Sequence, residues 1–102
     1  MLAELAEKRQ EIEAACDRFG VASLDVFGSS LGERFEVGVS DVDFLVEFLP
    51  MDPYERVDAY FGLADALSEI LDADVDLVMA GAVKNRYVAA EIERTRRAVY
   101  AP

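Results

Sequence analysis

Apolar residues at Leu2, Leu5, Ile12, Cys16 and Phe19 recur at helical spacing and predict a helix over Leu2 to Arg18. Gly20 follows where a helix C-terminus takes a left-handed residue. The period then shortens. "ASLDVFG" reads as a strand ending at Gly28, and "SSLGERF" as one or two helical turns with Ser29 or Ser30 near the N-cap. In "DVDFLVEF" the period is two: Val42, Phe44, Val46 and Phe48 share one face, and Asp43, Leu45 and Glu47 the other. Pro50 and Pro53 bracket a turn. "YERVDAYFGLADALSEIL" returns to helical spacing, with a wide apolar stripe at Val57, Tyr60, Phe61, Ala64, Leu67 and Leu71. "ADVDLVMA" predicts a third strand, which begins with Asp74 and Asp76 and is broken by Gly81. "VKNRYVAAEIERTRRAVY" predicts a closing helix with Val88, Ile92 and Thr95 on one side and Arg94, Arg96 and Arg97 near its end. The order α-β-α-β-α-β-α predicts an α/β (α+β) fold around a three-stranded mixed sheet. No repeat or linker divides the 102 residues, so a single domain over 1–102 is expected.

Element order also predicts where the ends of the strands meet. A short connection from Gly28 to Asp41 suits antiparallel neighbours, which places the end of the first strand beside the start of the second. A crossover helix joins the second strand to the third, so these two should run parallel and start side by side. Gly28, Ser29, Asp41, Asp43 and Asp76 are therefore expected at one edge of the sheet.

Composition narrows the chemistry. The chain contains no histidine, which removes His-dependent triads, an imidazole base and His-ligated zinc. Cys16 is the only cysteine, so no internal disulfide forms; with no base to activate it, a core role is expected, and a cytoplasmic location fits. No run of about 18 apolar residues predicts a membrane span. Acids throughout the first twenty residues argue against a signal or transit peptide. The formal net charge of −11 is carried in full between Phe35 and Val83, where twelve acids face a single base, Arg56. Binding to a nucleic-acid backbone is disfavoured; a basic protein or divalent cations suit such a surface better.

Three carboxylates at one sheet edge repel, by about 4 kcal/mol for a pair ~4 Å apart at an effective dielectric near 20. Bound cations are one remedy, and oxygen ligands without His or Cys point to Mg²⁺ or Mn²⁺. Gly28 lets backbone approach a phosphate closely, and Ser29 adds a hydroxyl and an N–H at a helix start. Each feature alone has a plainer reading: Gly-Ser as a turn, Asp-x-Asp as a solvated strand end. The ordered set of strand, Gly-Ser, loop, Asp-x-Asp strand, helix and a further aspartate on a strand is much rarer.

That set resembles the nucleotidyltransferase superfamily of DNA polymerase beta type, and most closely its minimal nucleotidyltransferase (MNT) domain, the antitoxin half of HEPN/MNT toxin–antitoxin pairs. The resemblance rests on Gly28-Ser29, then Asp41-Val42-Asp43, then the strand "DVDFLVEF", and extends through "VDLVMAGAVKNRYVAAEIERTRRAVY". Ser30 to Ser40 is one residue longer than the usual spacing, and Arg34 is the only base in that loop. The resemblance implies that Asp41 and Asp43 hold Mg²⁺, that Asp76 binds a catalytic metal or takes the acceptor hydroxyl's proton, and that Gly28, Ser29 and Ser30 grip the phosphates of ATP. It further implies AMP transfer to a hydroxyl, a tyrosine by preference, of a HEPN ribonuclease. A homo- or hetero-oligomer is compatible with this. The chain is short for a second, acceptor-binding domain, so the acceptor is expected on another molecule. The rival expectation is a catalytically silent module that neutralises its partner by binding alone.

Overall fold

The computed structural model describes residues 2–28 and 42–101. The elements are α1 (Leu2–Glu7), α2 (Arg9–Arg18), β1 (Val21–Phe27), β2 (Val42–Phe48), α3 (Pro53–Leu71), β3 (Val75–Met79), a 3₁₀ turn (Ala80–Ala82), α4 (Arg86–Thr95) and β4 (Arg97–Tyr100). The strands form one mixed sheet in the order β3-β2-β1-β4. β1 runs antiparallel to β2 and to β4, and β2 runs parallel to β3 across the α3 crossover. The α+β architecture expected from the period changes is therefore present.

Alternation in the strands divides the sheet into two faces. Leu24, Val26, Val42, Phe44, Val46 and Leu77 face α2 and α3 and form the main core with Ile12, Cys16, Leu63 and Leu67. Phe44, Leu24, Leu63 and Leu67 are fully buried. Each contributes roughly 2–3 kcal/mol by leaving water. The opposite face carries a smaller cluster, Phe27, Leu45 and Ile92, beneath α4. Cys16 belongs to the main core, and burial first, then the nearby Glu13 carboxylate, pushes its thiol up to about 12. No helix among the described residues is long and apolar enough to cross a membrane.

Three expectations need correction. The sheet has four strands, not three, because the closing helix ends at Thr95 and Arg97–Tyr100 pairs with the open edge of β1. The Thr95 hydroxyl donates back to the Glu91 carbonyl, and Arg96 turns to an extended ψ of 142° where its side chain is drawn to Asp25. Strand pairing then satisfies backbone groups that β1 would leave open. The N-terminal helix is interrupted at Lys8, whose φ of −100° and ψ of 9° leave helical values. Between Leu5 and Ile12 the chain offers only Ala6 and then five charged or amide residues, so little apolar surface holds that turn straight. Finally, α3 buries Ala59, Leu63, Leu67 and Leu71, while Val57 and Phe61 of the expected stripe stay exposed. The helical turns expected in "SSLGERF" lie outside the described residues.

α3 itself is well delimited. The Asp52 carboxylate accepts from the Tyr54 N–H at 2.8 Å, Pro53 occupies the first turn, and Asp72 ends the helix in a left-handed conformation. This helix carries the chain from the end of β2 back to the start of β3 and so sets the register of the parallel pair.

Candidate functional site

Three strand ends fall into one row. Phe27 lies opposite Asp43, and Asp43 lies opposite Asp76. Asp43 and Asp76 are thus neighbours on one sheet face, the face beneath α4. Asp43 is half-buried and Asp76 is exposed. At a separation of ~5.5 Å, two such charges repel by about 3 kcal/mol at an effective dielectric near 20.

Gly28 completes the row. It is buried, and its φ of +85° is one that residues with a side chain rarely adopt. A Cβ there would sit 2.7 Å from Asp43 Oδ2 and 3.6 Å from its Cγ. Glycine is thus required twice, by the backbone and by the approach of the carboxylate. The Gly28 N–H donates to Thr95 Oγ1 at 2.9 Å, and the Thr95 hydroxyl donates to the Glu91 carbonyl at 2.7 Å. The last turn of α4 therefore holds the glycine peptide in place.

A second anchor lies two residues back along β1. Asp25 is buried, at 7% exposure, on the same face as Asp43. Arg96 Nε donates to Asp25 Oδ2 at 2.7 Å, and Arg96 Nη2 pairs with the same oxygen. Arg96 Nη1 also donates to Glu93 Oε1 at 2.8 Å. These partners, Asp25 first and Glu93 second, hold the guanidinium's pKa above its already high ordinary value.

Of the residues singled out from the sequence, the fold brings Gly28, Asp43 and Asp76 together. Ser29, Ser30 and Asp41 lie outside the described residues. Among the described residues no group of three His, Cys, Asp or Glu side chains is placed to hold a metal ion. The donor set nonetheless suits a hard divalent cation: two carboxylates lie side by side in register, beside a glycine that lets Asp43 pack against the backbone. A third carboxylate, Asp41, stands two residues before Asp43 in the chain.

Sequence reading missed Thr95, Asp25 and Arg96 as supports of this corner. A signal was present. Asp25 interrupts the apolar run "SLDVF", and an acid on a strand that buries both faces needs a cation. The run Arg94, Arg96, Arg97 supplied the candidates, but pairing over 71 positions cannot be read from spacing.

Comparison with known proteins agrees with the fold. The nucleotidyltransferase domain family matches residues 8–99. A Methanocaldococcus jannaschii protein assigned as a protein adenylyltransferase is 39% identical over 77 residues, which are 76% of this chain and 74% of that one. A solved structure assigned as a minimal nucleotidyltransferase is 29% identical, with a TM-score of 0.73 over 94% of this chain and 93% of that chain. The fold also matches, at 20% identity and a TM-score of 0.64, a chain in a Shewanella oneidensis complex of a tri-AMPylated HEPN toxin with its MNT antitoxin; 96% of this chain and 73% of that chain are covered. With a family match across nearly the whole chain, and Gly28, Asp43 and Asp76 in one row, the chain belongs to the nucleotidyltransferase family.

Proposed function

We propose that this nucleotidyltransferase moves AMP from ATP to a hydroxyl, a tyrosine by preference, of a HEPN-type ribonuclease, and so acts as that toxin's antitoxin. One observation carries the reading: Asp43 and Asp76 lie side by side, with Gly28 packed so closely on Asp43 that no side chain fits between them. The AMPylated toxin in the Shewanella complex and the adenylyltransferase assignment of the Methanocaldococcus relative support the choice of group and acceptor.

In this reading Asp43 and Asp76, with Asp41 from the sequence motif, would hold Mg²⁺, which would supply charge neutralisation for the triphosphate and the departing pyrophosphate. The chain's own groups do the rest. Gly28 lets the Asp43 carboxylate pack directly against the backbone, and Thr95 fixes the Gly28 peptide in that position. Ser29 and Ser30 follow Gly28 and offer hydroxyls and N–H groups to the phosphates. Asp76, the exposed carboxylate, accepts the proton of the incoming hydroxyl. The acceptor oxygen then bonds to the α-phosphorus as the bond to pyrophosphate breaks.

Calorimetry and intact-mass measurement test this. ATP should bind tightly only with Mg²⁺ or Mn²⁺, and the HEPN partner should gain the mass of AMP. Equal ATP binding in EDTA, or a partner that is inhibited yet unmodified, would reject transfer as the activity.

A further inference from the structure

The apolar stripe of α3 is wider than the core beneath it. Tyr54, Val57 and Phe61, spaced three and four apart on the first turns, remain 84%, 54% and 62% exposed. Beside them runs a groove of about 390 Å³ lined by Pro53, Arg56, Val57, Tyr60, Phe61 and Met79. Arg56 and Met79 also line a second depression of about 390 Å³ that reaches Val46, Phe48 and Ala80. The two hollows thus adjoin at Arg56 and Met79, at the end of the sheet where β2 and β3 finish. Asp43 and Asp76 stand at the opposite end, where those strands begin.

Charge says what fits there. The next face of α3 around from the stripe carries Glu55, Asp58, Asp65 and Glu69, all exposed, and the helix's single base, Arg56, lies on the groove side. Two copies of this chain packed α3 against α3 about a two-fold axis would set one acidic flank on the other, which opposes self-association. A narrow apolar stripe with a groove beside it, read at helical spacing, suits an amphipathic helix better than an extended strand.

We propose that the stripe and the groove beside it dock an α-helix of a partner protein, with its apolar face against Val57 and Phe61 and its basic flank against Asp58 and Asp65. The proposal rests on the reading above in one respect: the partner is the protein that receives AMP. Docking at this end leaves the Gly28–Asp43 corner open for ATP, so capture and chemistry use separate surfaces.

The test uses a synthetic helix of about 20 residues with leucines at i, i+3, i+4 and i+7 and lysines on both flanks. A control peptide keeps the leucines and carries glutamates instead. Each is titrated into the isotope-labelled full chain at about 0.15 M salt, which screens non-specific attraction. The lysine peptide should shift backbone amides around Tyr54–Phe61 and Met79, and the glutamate peptide should not bind. Phe61→Glu should weaken binding at least ~10-fold, as loss of a central apolar anchor does. Asp58→Lys combined with Asp65→Lys should reverse the peptide preference. Shifts confined to the Gly28–Asp43 corner, binding unchanged by Phe61→Glu, or a free chain that self-associates through the stripe would each overturn the proposal. Mg²⁺-dependent ATP binding is read on the same samples. It should survive Phe61→Glu and be lost with Asp43→Asn, whereas peptide binding should survive Asp43→Asn. Failure of docking and failure of the transferase reading are thereby told apart.

Discussion

Asp25 and Asp43 point from adjacent strands to the same face of the sheet, yet the fold treats them in opposite ways. Asp25 is buried and answered by the Arg96 guanidinium. Asp43, opposite Phe27, meets a second carboxylate, Asp76, on its other side. A buried acid beside an arginine holds structure together, because removing the cation would strand a charge in a poor solvent. Two acids placed side by side do the reverse. They repel each other, and a divalent cation held between them would relieve that repulsion. Opposite roles thus follow from neighbours supplied by distant segments, α4 in one case and β3 in the other.

The sharpest way to break the contrast is to exchange the two acids' losses. Asp43→Asn should cut AMP transfer by more than the ~100-fold typical of a group that merely supports a metal ligand. Its melting temperature should change less than that of Asp25→Asn, since the amide removes the repulsion from Asp76. Asp25→Asn should lower the melting temperature and spare transfer per folded molecule. Intact-mass kinetics and thermal melts on both variants check this, and a matching pattern in the two would erase the distinction.

Next in size is Arg96→Ala, which leaves Asp25 buried without its cation and should cost about 3 kcal/mol, the lower end for a broken buried pair because Arg96 is partly exposed. Denaturant unfolding measures it. Gly28→Ala should cost about 2 kcal/mol, from the left-handed backbone together with the contact to Asp43 Oδ2. Unlike Arg96→Ala, it should also weaken Mg²⁺-dependent ATP binding, because the intruding methyl lies on the carboxylate. Thr95→Val removes the acceptor for the Gly28 N–H and should cost about 1 kcal/mol, with Thr95→Ser restoring both stability and ATP affinity.

The smallest effect at neutral pH belongs to Cys16. Its thiol is pushed from 9.0 to about 12 by burial and by Glu13. The folded state therefore binds a proton that the unfolded state gives up earlier. This stability is fully present below pH 9 and is lost as pH rises from 9 towards 12. Cys16→Ala should flatten that alkaline decline while changing little of the pH dependence below 9, as read from unfolding curves across the range.

Much of the fold was legible because short-range rules govern it. Alternation in "DVDFLVEF" predicted that Val42, Phe44 and Val46 share one face of β2, and that face enters the main core. The crossover rule predicted the parallel pairing of β2 and β3, which puts Asp43 and Asp76 in register. The family resemblance rested on the same residues. The N-terminal helix and the C-terminal segment were less readable. A turn in an apolar gap breaks the first at Lys8, and a strand edge captures the end of the second. Propensity does not foresee capture by an open edge, since "RAVY" suits helix or strand equally well.

Residue order and side-chain chemistry alone thus settle the alternation of helices and strands and the gathering of Gly28, Asp43 and Asp76 at one edge, because each follows from local periodicity and from the handedness of the connection. Three matters wait for the folded chain. They are which acid receives the arginine, which glycine peptide a threonine 67 residues away must hold, and how much of the α3 stripe the core has room to cover. Each is decided by contacts between segments far apart in sequence, where a shift of a few ångströms separates a buried ion pair from two adjacent carboxylates and a core residue from an exposed one.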